Sequence, residues 1–355
     1  MGRVLMGLFG GDETHGSYTA TQLDKSYTQT IDETPGVLLG IRPYKDNQGI
    51  VDGAAMLQSL HDVRTKGLRD TNISQHHTFE LWFDEEKLKF YMHAADESAA
   101  NKFRRRVANS YSNTQVFRVE GGDAFPQIHA DDYVAGAELD LNRHYYYPIR
   151  NHQGDGFERD PYGEVTSEML STPETRVVVQ VVFRPAKNDW TEGDGGLLSR
   201  GESVDDVAEE LRSDRVVGWV NPRTRDASKK DREAADVVEM QRGQYGFHTN
   251  MRILAASPDK YEAESRARGV AGMFTRYYNT MTEQGFTDEP VPASDRGAFI
   301  EKLHAREWED REMILSVSEL AGAAHIPNKE IETPKIDWRY SQRGGEVPAD
   351  SQREE

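Results

Sequence analysis

The sequence predicts an α+β protein built from two tandem ferredoxin-like (split βαβ) domains, the second carrying an insertion, followed by a C-terminal helical connector. Three observations predict it. Thr78 to Phe83 and Lys87 to His93 flank the acidic turn Asp84-Glu85-Glu86, and the second arm alternates Leu88, Phe90 and Met92 with polar residues, the period of two of a sheet with one wet face. Asp96 to Tyr111 and Pro258 to Met281 instead repeat apolar residues at three and four positions, as amphipathic helices do. Strand-like and helix-like segments also succeed one another as strand, helix, strand, strand, helix, strand, and that order starts twice.

Residues 1–35 are polar, rich in Gly, Thr, Ser and Asp, and read as a flexible N-terminal arm. The first unit, 36–120, runs from strand Val37 to Arg42 through a helix over Asp52 to Arg64, the hairpin, the helix Asp96 to Tyr111 and strand Gln115 to Val119. Residues 121–132 hold Gly, Asp and Pro126 and read as a linker. The second unit, 133–291, opens with a long β-like stretch from Tyr133 to Ile149. A helix over Tyr162 to Leu170 follows, then the apolar run Thr175 to Arg184, the most strand-prone in the chain.

An insertion at about 187–243 interrupts that unit with helices predicted over Ser203 to Arg212 and Asp231 to Gly243. The strand Tyr245 to Ala255 resumes it. The helix Pro258 to Met281 should start with Ser257 as cap and Pro258 in the first turn, and strand Phe286 to Val291 closes the unit. Residues 292–338 form the helical connector, beginning with a helix over Ala293 to Arg306, and 339–355 a disordered tail.

The chain of 355 residues carries 61 acidic and 43 basic residues, a formal net charge of -18. That balance repels nucleic acid and anionic membranes at long range. Only 13 of the basic residues are Lys against 30 Arg, and hydrophobic residues make up 36%. This composition resembles that of extreme halophiles, where salt screens self-repulsion and surface carboxylates hold water. The acidity then reports habitat rather than partner. With no cysteine, disulfides, thiolate zinc sites and cysteine nucleophiles are excluded. Val4 to Gly11 is too short for a membrane span, so the expected location is cytoplasmic, at most peripheral to a membrane complex.

Catalytic motifs are missing. No glycine cluster is followed by the Lys-Ser or Lys-Thr of a phosphate-binding loop, and neither H-E-x-x-H nor G-x-S-x-G occurs. The pair His76-His77 precedes a strand, where neighbours point to opposite faces and cannot share one ion. No catalytic, cofactor-binding or metal residue is therefore expected, and no cofactor. Lys102, Arg104, Arg105 and Arg106 make a local basic patch, the candidate nucleic-acid contact, which the net charge opposes.

In the connector, Ser316 and Glu319 form a capping box, with Val317, Leu320, Ala321 and Ala324 as one apolar stripe. Ile314 to Pro327 fits the pattern (I/V)LS-x-x-ELA-x-x-x-H-x-P, and Thr333 to Trp338 fits TP-x-I-x-W. Gly246, Phe247, Arg252, Ile253 and Ala255, with Phe274 beyond, fit GF-x-x-x-(I/L)R-(I/L)-x-A, with Met251 where the pattern has Ile or Leu. Together these segments resemble the N-terminal, pre-motor region of the TraG-like and HerA/FtsK-superfamily conjugative-transfer (type IV secretion) ATPases, archaeal members included.

The family normally places its nucleotide site just beyond the position of Trp338, and this chain ends 17 residues later. The resemblance implies a non-catalytic accessory module. Its expected partners are a motor subunit, a secretion or virion complex, or further copies of itself. The expected docking residues are Ser316, Glu319, Leu320, Pro327 and Trp338. A plasmid- or virus-encoded DNA-binding or processing factor, and a virion structural protein, are the rival expectations.

Overall fold

The computed structural model describes residues 17–68, 70–153, 156–192, 195–196, 199–200, 203–217 and 223–339. Ten strands form one antiparallel sheet: β1 (Thr21–Gln22), β2 (Val37–Arg42), β3 (His77–Asp84), β4 (Lys87–Ala94), β5 (Gln115–Arg118), β6 (Tyr133–Leu141), β7 (Arg176–Pro185), β8 (Gly246–Ser257), β9 (Phe286–Pro290) and β10 (Ile314–Ser316). The α-helices are α1 (Ile50–Leu60), α2 (Glu97–Ser110), α3 (Tyr162–Met169), α4 (Val204–Arg212), α5 (Lys229–Glu239), α6 (Lys260–Met273), α7 (Arg296–Ala305) and α8 (Val317–Ala323). The protein is thus α+β, dominated by a single large sheet.

Strands from residues 37–118 lie in the order β5–β2–β4–β3, and those from 133–290 continue as β7–β8–β6–β9. The halves meet where His77–Phe83 of β3 pairs with Val177–Phe183 of β7. β1 shares the outer edge of β6 with β9, and β10 pairs with the first residues of β8. Both faces of the sheet are covered, and this explains why β7 is apolar on both sides from Val177 to Phe183 apart from Gln180: Val177, Val179 and Val181 face one core while Val178 faces the other. The first core holds Phe79, Leu81, Phe90 and Ile253 under α1, α2, α3, α6 and α8. The second holds Leu38, Trp82, Val178 and Leu254 under α7.

Three segments differ from their expected character. Residues 17–35, read as a flexible arm, lie against the sheet: Tyr18, Ala20 and Leu23 are buried, and Tyr27 bridges to Ile128. Residues 1–16 lie outside the described residues. The expected linker 121–132 puts Ala124, Phe125 and Ile128 into the second core. In both, a few apolar side chains at the right spacing outweigh a polar composition. The helix expected over 258–281 begins at Lys260, because Ser257 stays in β8 and the Asp259 carboxylate accepts the Glu262 N–H at 2.9 Å. It ends at Met273 and runs into a 3₁₀ turn, Phe274–Tyr277. Of the expected tail only Arg339 lies within the described residues.

A polar ladder crosses the junction on the second face. The register aligns Tyr91, Glu80, Gln180, Arg252 and Glu138 on five adjacent strands. Gln180 donates to Glu80 at 2.9 Å and accepts from Arg252 at 3.1 Å, while Trp82 donates to Glu80 at 3.0 Å. Arg306 reaches both Glu80 oxygens, at 3.0 and 3.2 Å, and Arg252 and Lys302 reach Glu309 at 3.0 and 2.8 Å. Arg306 caps α7 in the left-handed region, at φ 52°, where glycine is usual. Its buried guanidinium also donates to Ala124 O at 2.6 Å, so a side chain is required despite the backbone cost.

Candidate partner-docking groove

Helix α5 of the insertion has two working faces. Ala234, Ala235 and Val238 pack against Val204, Val207, Ala208 and Leu211 of α4, around Tyr146. Val237, Met240 and Gln241 turn the other way and, with Arg150, Asn151 and Tyr278 opposite, enclose a cavity of about 360 Å³. Gln153 and Gln244 line this cavity and also the next, a shallower trough of about 570 Å³ between Val51, Ala54 and Gln58 of α1 and Tyr245, Val317 and Ser318. The two adjoin at these residues and together make up the groove.

Local chemistry sets the walls. Gly243, at φ 75°, makes the left-handed turn that carries the chain from α5 into β8. Gln244 is then held by Trp190, which donates to its carbonyl at 2.8 Å, and by Ser318, which donates to its side chain at 2.6 Å. The Tyr245 ring stacks on His61 with centroids 4.4 Å apart. Gly246 has to be glycine here, since a Cβ would come within 2.7 Å of the Trp190 ring.

Beneath the groove, Glu319 ties its walls together. One carboxylate oxygen accepts the Ile149 N–H at 2.8 Å; the other accepts from the Ser316 N–H and hydroxyl at 2.8 and 2.6 Å and from Gln241 at 3.2 Å. Burial nevertheless pushes its carboxyl above the usual range, outweighing these four donors.

Among the described residues the lining of the groove contains no Asp, Glu or Lys. Arg150 is the one permanent charge among them, and burial holds His152 below the usual histidine value, so it is neutral at pH 7. Val51, Met240, Tyr245 and Tyr278 all stand on the groove, each 40–53% exposed. Depletion of charge with exposed Tyr and Met is the compositional mark of an interface core.

The expected docking residues lie elsewhere in character. Ser316, Glu319 and Leu320 are buried at 1%, 2% and 0% exposure, Pro327 is buried too, and Trp338 is half-buried with Lys45 over its ring. Ser316 and Glu319 do form the capping box, but inside the fold. The rest of the box is also consumed internally: both His325 nitrogens are engaged, with Ala321 O and Asp160 at 2.9 Å, and Tyr162 donates to Ala323 O at 2.7 Å. Leu320 cannot meet a partner because it is already core.

The basic patch on α2 is not a free surface either. Lys102 pairs with Asp62 at 3.2 Å, Arg104 and Arg106 are half-buried, and only Arg105 is exposed. His76 and His77 lie on opposite sides of the sheet, His76 stacking on Trp308 and His77 against Phe183. Among the described residues no group of three or more His, Cys, Asp or Glu could hold a metal ion, and no helix is long and apolar enough to cross a membrane.

Met240, Tyr245, Tyr278, Gln153 and Gln244 were not singled out from the sequence. One signal points to them: in so acidic a chain, residues 141–153, 240–258 and 265–281 contain no Asp or Glu. The strand- and helix-rich runs 98–119 and 175–188 share that property, so only the fold separates groove from core.

Fold and groove together define an α+β protein on one large antiparallel sheet and, beside its inserted helices, a surface groove whose described residues include no carboxylate. Residues 13–339 match the family model of DUF8128, a domain of unknown function, and the chain belongs to that family. No curated protein matches the sequence.

Proposed function

We propose that this protein is a non-catalytic assembly module that docks another polypeptide in the groove beside α5. The observation that carries the reading is a patch whose described residues include no carboxylate and which exposes Met240, Tyr245 and Tyr278, on a chain of net charge -18. A surface selected for solubility in salt would place acids there too; a surface selected to be covered would not. We further read the two halves as tandem ferredoxin-like units joined through their second strands. Their strand orders, 4-1-3-2 in each when counted within the half, support this. The resemblance to the pre-motor region of conjugative-transfer ATPases then names the partner class: a motor subunit or another component of a secretion or virion complex.

The test replaces Met240 with a photocrosslinking phenylalanine derivative in the full chain, expressed in its own host. Irradiation is expected to join it to a protein carrying an ATPase motor or belonging to a transfer or virion complex, and Tyr278→Asp is expected to abolish the product. Crosslinks insensitive to Tyr278→Asp, or steady ATP hydrolysis by the purified chain, would overturn the reading.

A further inference from the structure

We propose that the groove takes its partner as an extended strand: a short uncharged stretch bearing two apolar side chains, flanked by Lys or Arg. This rests on the docking reading above and specifies what is docked.

The unspent polar groups favour an extended chain. Among the described residues the side-chain amides of Gln58 and Gln153 have no protein partner. Asn279 spends its Oδ1 on the Met281 and Thr282 N–H groups, leaving its Nδ2, and Gln241 spends its Nε2 on Glu319, leaving its Oε1. Donors and acceptors therefore stand on both stretches of the groove. A helix arrives with its backbone groups already paired and has no use for them, whereas an extended peptide offers an N–H and a C=O at every residue.

The apolar contacts come in two sets. Met240 and Tyr278 stand at the cavity, Val51 and Tyr245 at the trough, and Gln153 and Gln244 lie between. Each set suits one apolar side chain.

Charge fixes the flanks. A cation in the groove would meet no carboxylate among the described lining residues, and Arg150 already donates its Nε to Gly156 O at 3.1 Å with its guanidinium against the Phe157 ring, so the central stretch is neutral. Within two residues of the lining in the chain stand the described acids Asp52, Glu158, Asp236, Glu239, Glu283 and Glu319, the last buried beneath the groove, and the cations Arg242 and Arg276, which pair with Asp205 and Glu164. Asp236 and Glu239 share Arg212, and Glu283 takes Lys230, but Asp52 and Glu158 have no cationic partner among the described residues. Cationic residues at the ends of the segment complete them.

The experiment pans a phage-displayed random 12-residue peptide library on the full chain, then synthesises the best binder. Its consensus is expected to hold two apolar residues in an uncharged core with Lys or Arg outside. Binding should fall at least tenfold on methylation of alternate backbone nitrogens, and likewise with Gln153→Ala and Met240→Asp proteins whose thermal melts match the wild type. A binder that tightens when locked as a helix by a lactam bridge would overturn the strand inference while leaving the crosslinking result, and so the docking reading, intact. Acidic flanks, or failure to enrich any peptide sensitive to both variants, would overturn it as well.

Discussion

The ladder on the second sheet face and the groove beside α5 are both polar, yet they treat charge in opposite ways. The ladder gathers Glu80, Glu138, Glu309, Arg252, Lys302 and Arg306 where α7 and the following loop cover them. The groove exposes amides and hydroxyls and, among the described residues, no carboxylate. Ions that are packed and paired lock a geometry, because breaking them leaves a charge out of water; neutral polar groups left open can change partners at small cost. The ladder therefore marks where the halves are fixed together, and the groove where something else can be taken up.

The largest effect is expected at Arg306, which closes the ladder. Arg306→Met keeps much of the stem but leaves the Glu80 carboxylate buried beside Gln180 and Trp82 without its cation. The expected loss is about 3–5 kcal/mol, the range for removing one partner of a buried pair. Urea unfolding measures it. A loss below about 1 kcal/mol would mean the pair is no more than a surface contact.

Acid acts on the ladder's face through its buried histidines. His93, His248 and His304, all on the ladder's face, are held at about 4, first by burial and then by Arg306 or Arg184 nearby. Their folded values lie below the ordinary 6.5, so their contribution is complete above pH 6.5 and is lost as pH falls from there towards 4. With His77, held at about 4 on the opposite face, the unfolded chain should take up on the order of four protons more than the folded one across that window. Stability measured against pH should fall accordingly, and His304→Asn should flatten the slope. A pH-independent stability between 6.5 and 4 would contradict this burial.

How much of this was readable in advance depended on whether a local period or a distant neighbour set the outcome. The hairpin β3–β4 was legible because Leu88, Phe90 and Met92 alternate, and all three are buried in the first core. The Ser316 cap was legible because its partner Glu319 is three residues away. The burial of that cap was not, since it depends on Ile149 and Gln241, far away in the chain. Glu80 and Gln180 likewise look like solvated residues in strand alternation. Only the β3–β7 register and Arg306 make them the centre of a network. The groove was least legible, because Met240 and Tyr278 have no period and are united only by how the insertion folds back.

Glu319 is where the two regimes touch, a carboxylate placed directly under a groove that excludes carboxylates. Its carboxyl is raised by burial, so as pH rises from the ordinary carboxylate range the unfolded chain ionises first and the folded protein loses stability until pH passes the raised value. Glu319→Gln removes that titration. It also turns a donor towards one of the donors now satisfied, the Ile149 N–H if its oxygen keeps Ser316 and Gln241, which costs about 1–3 kcal/mol. Wild type should thus exceed the variant in stability most at the acid end, with the gap narrowing as pH rises and levelling off above the raised value. Paired urea melts at several pH values isolate the gap from the histidine effect, which both proteins share. A gap that widens with pH would mean that the four donors, not burial, govern Glu319, and that the floor of the groove carries a fixed negative charge.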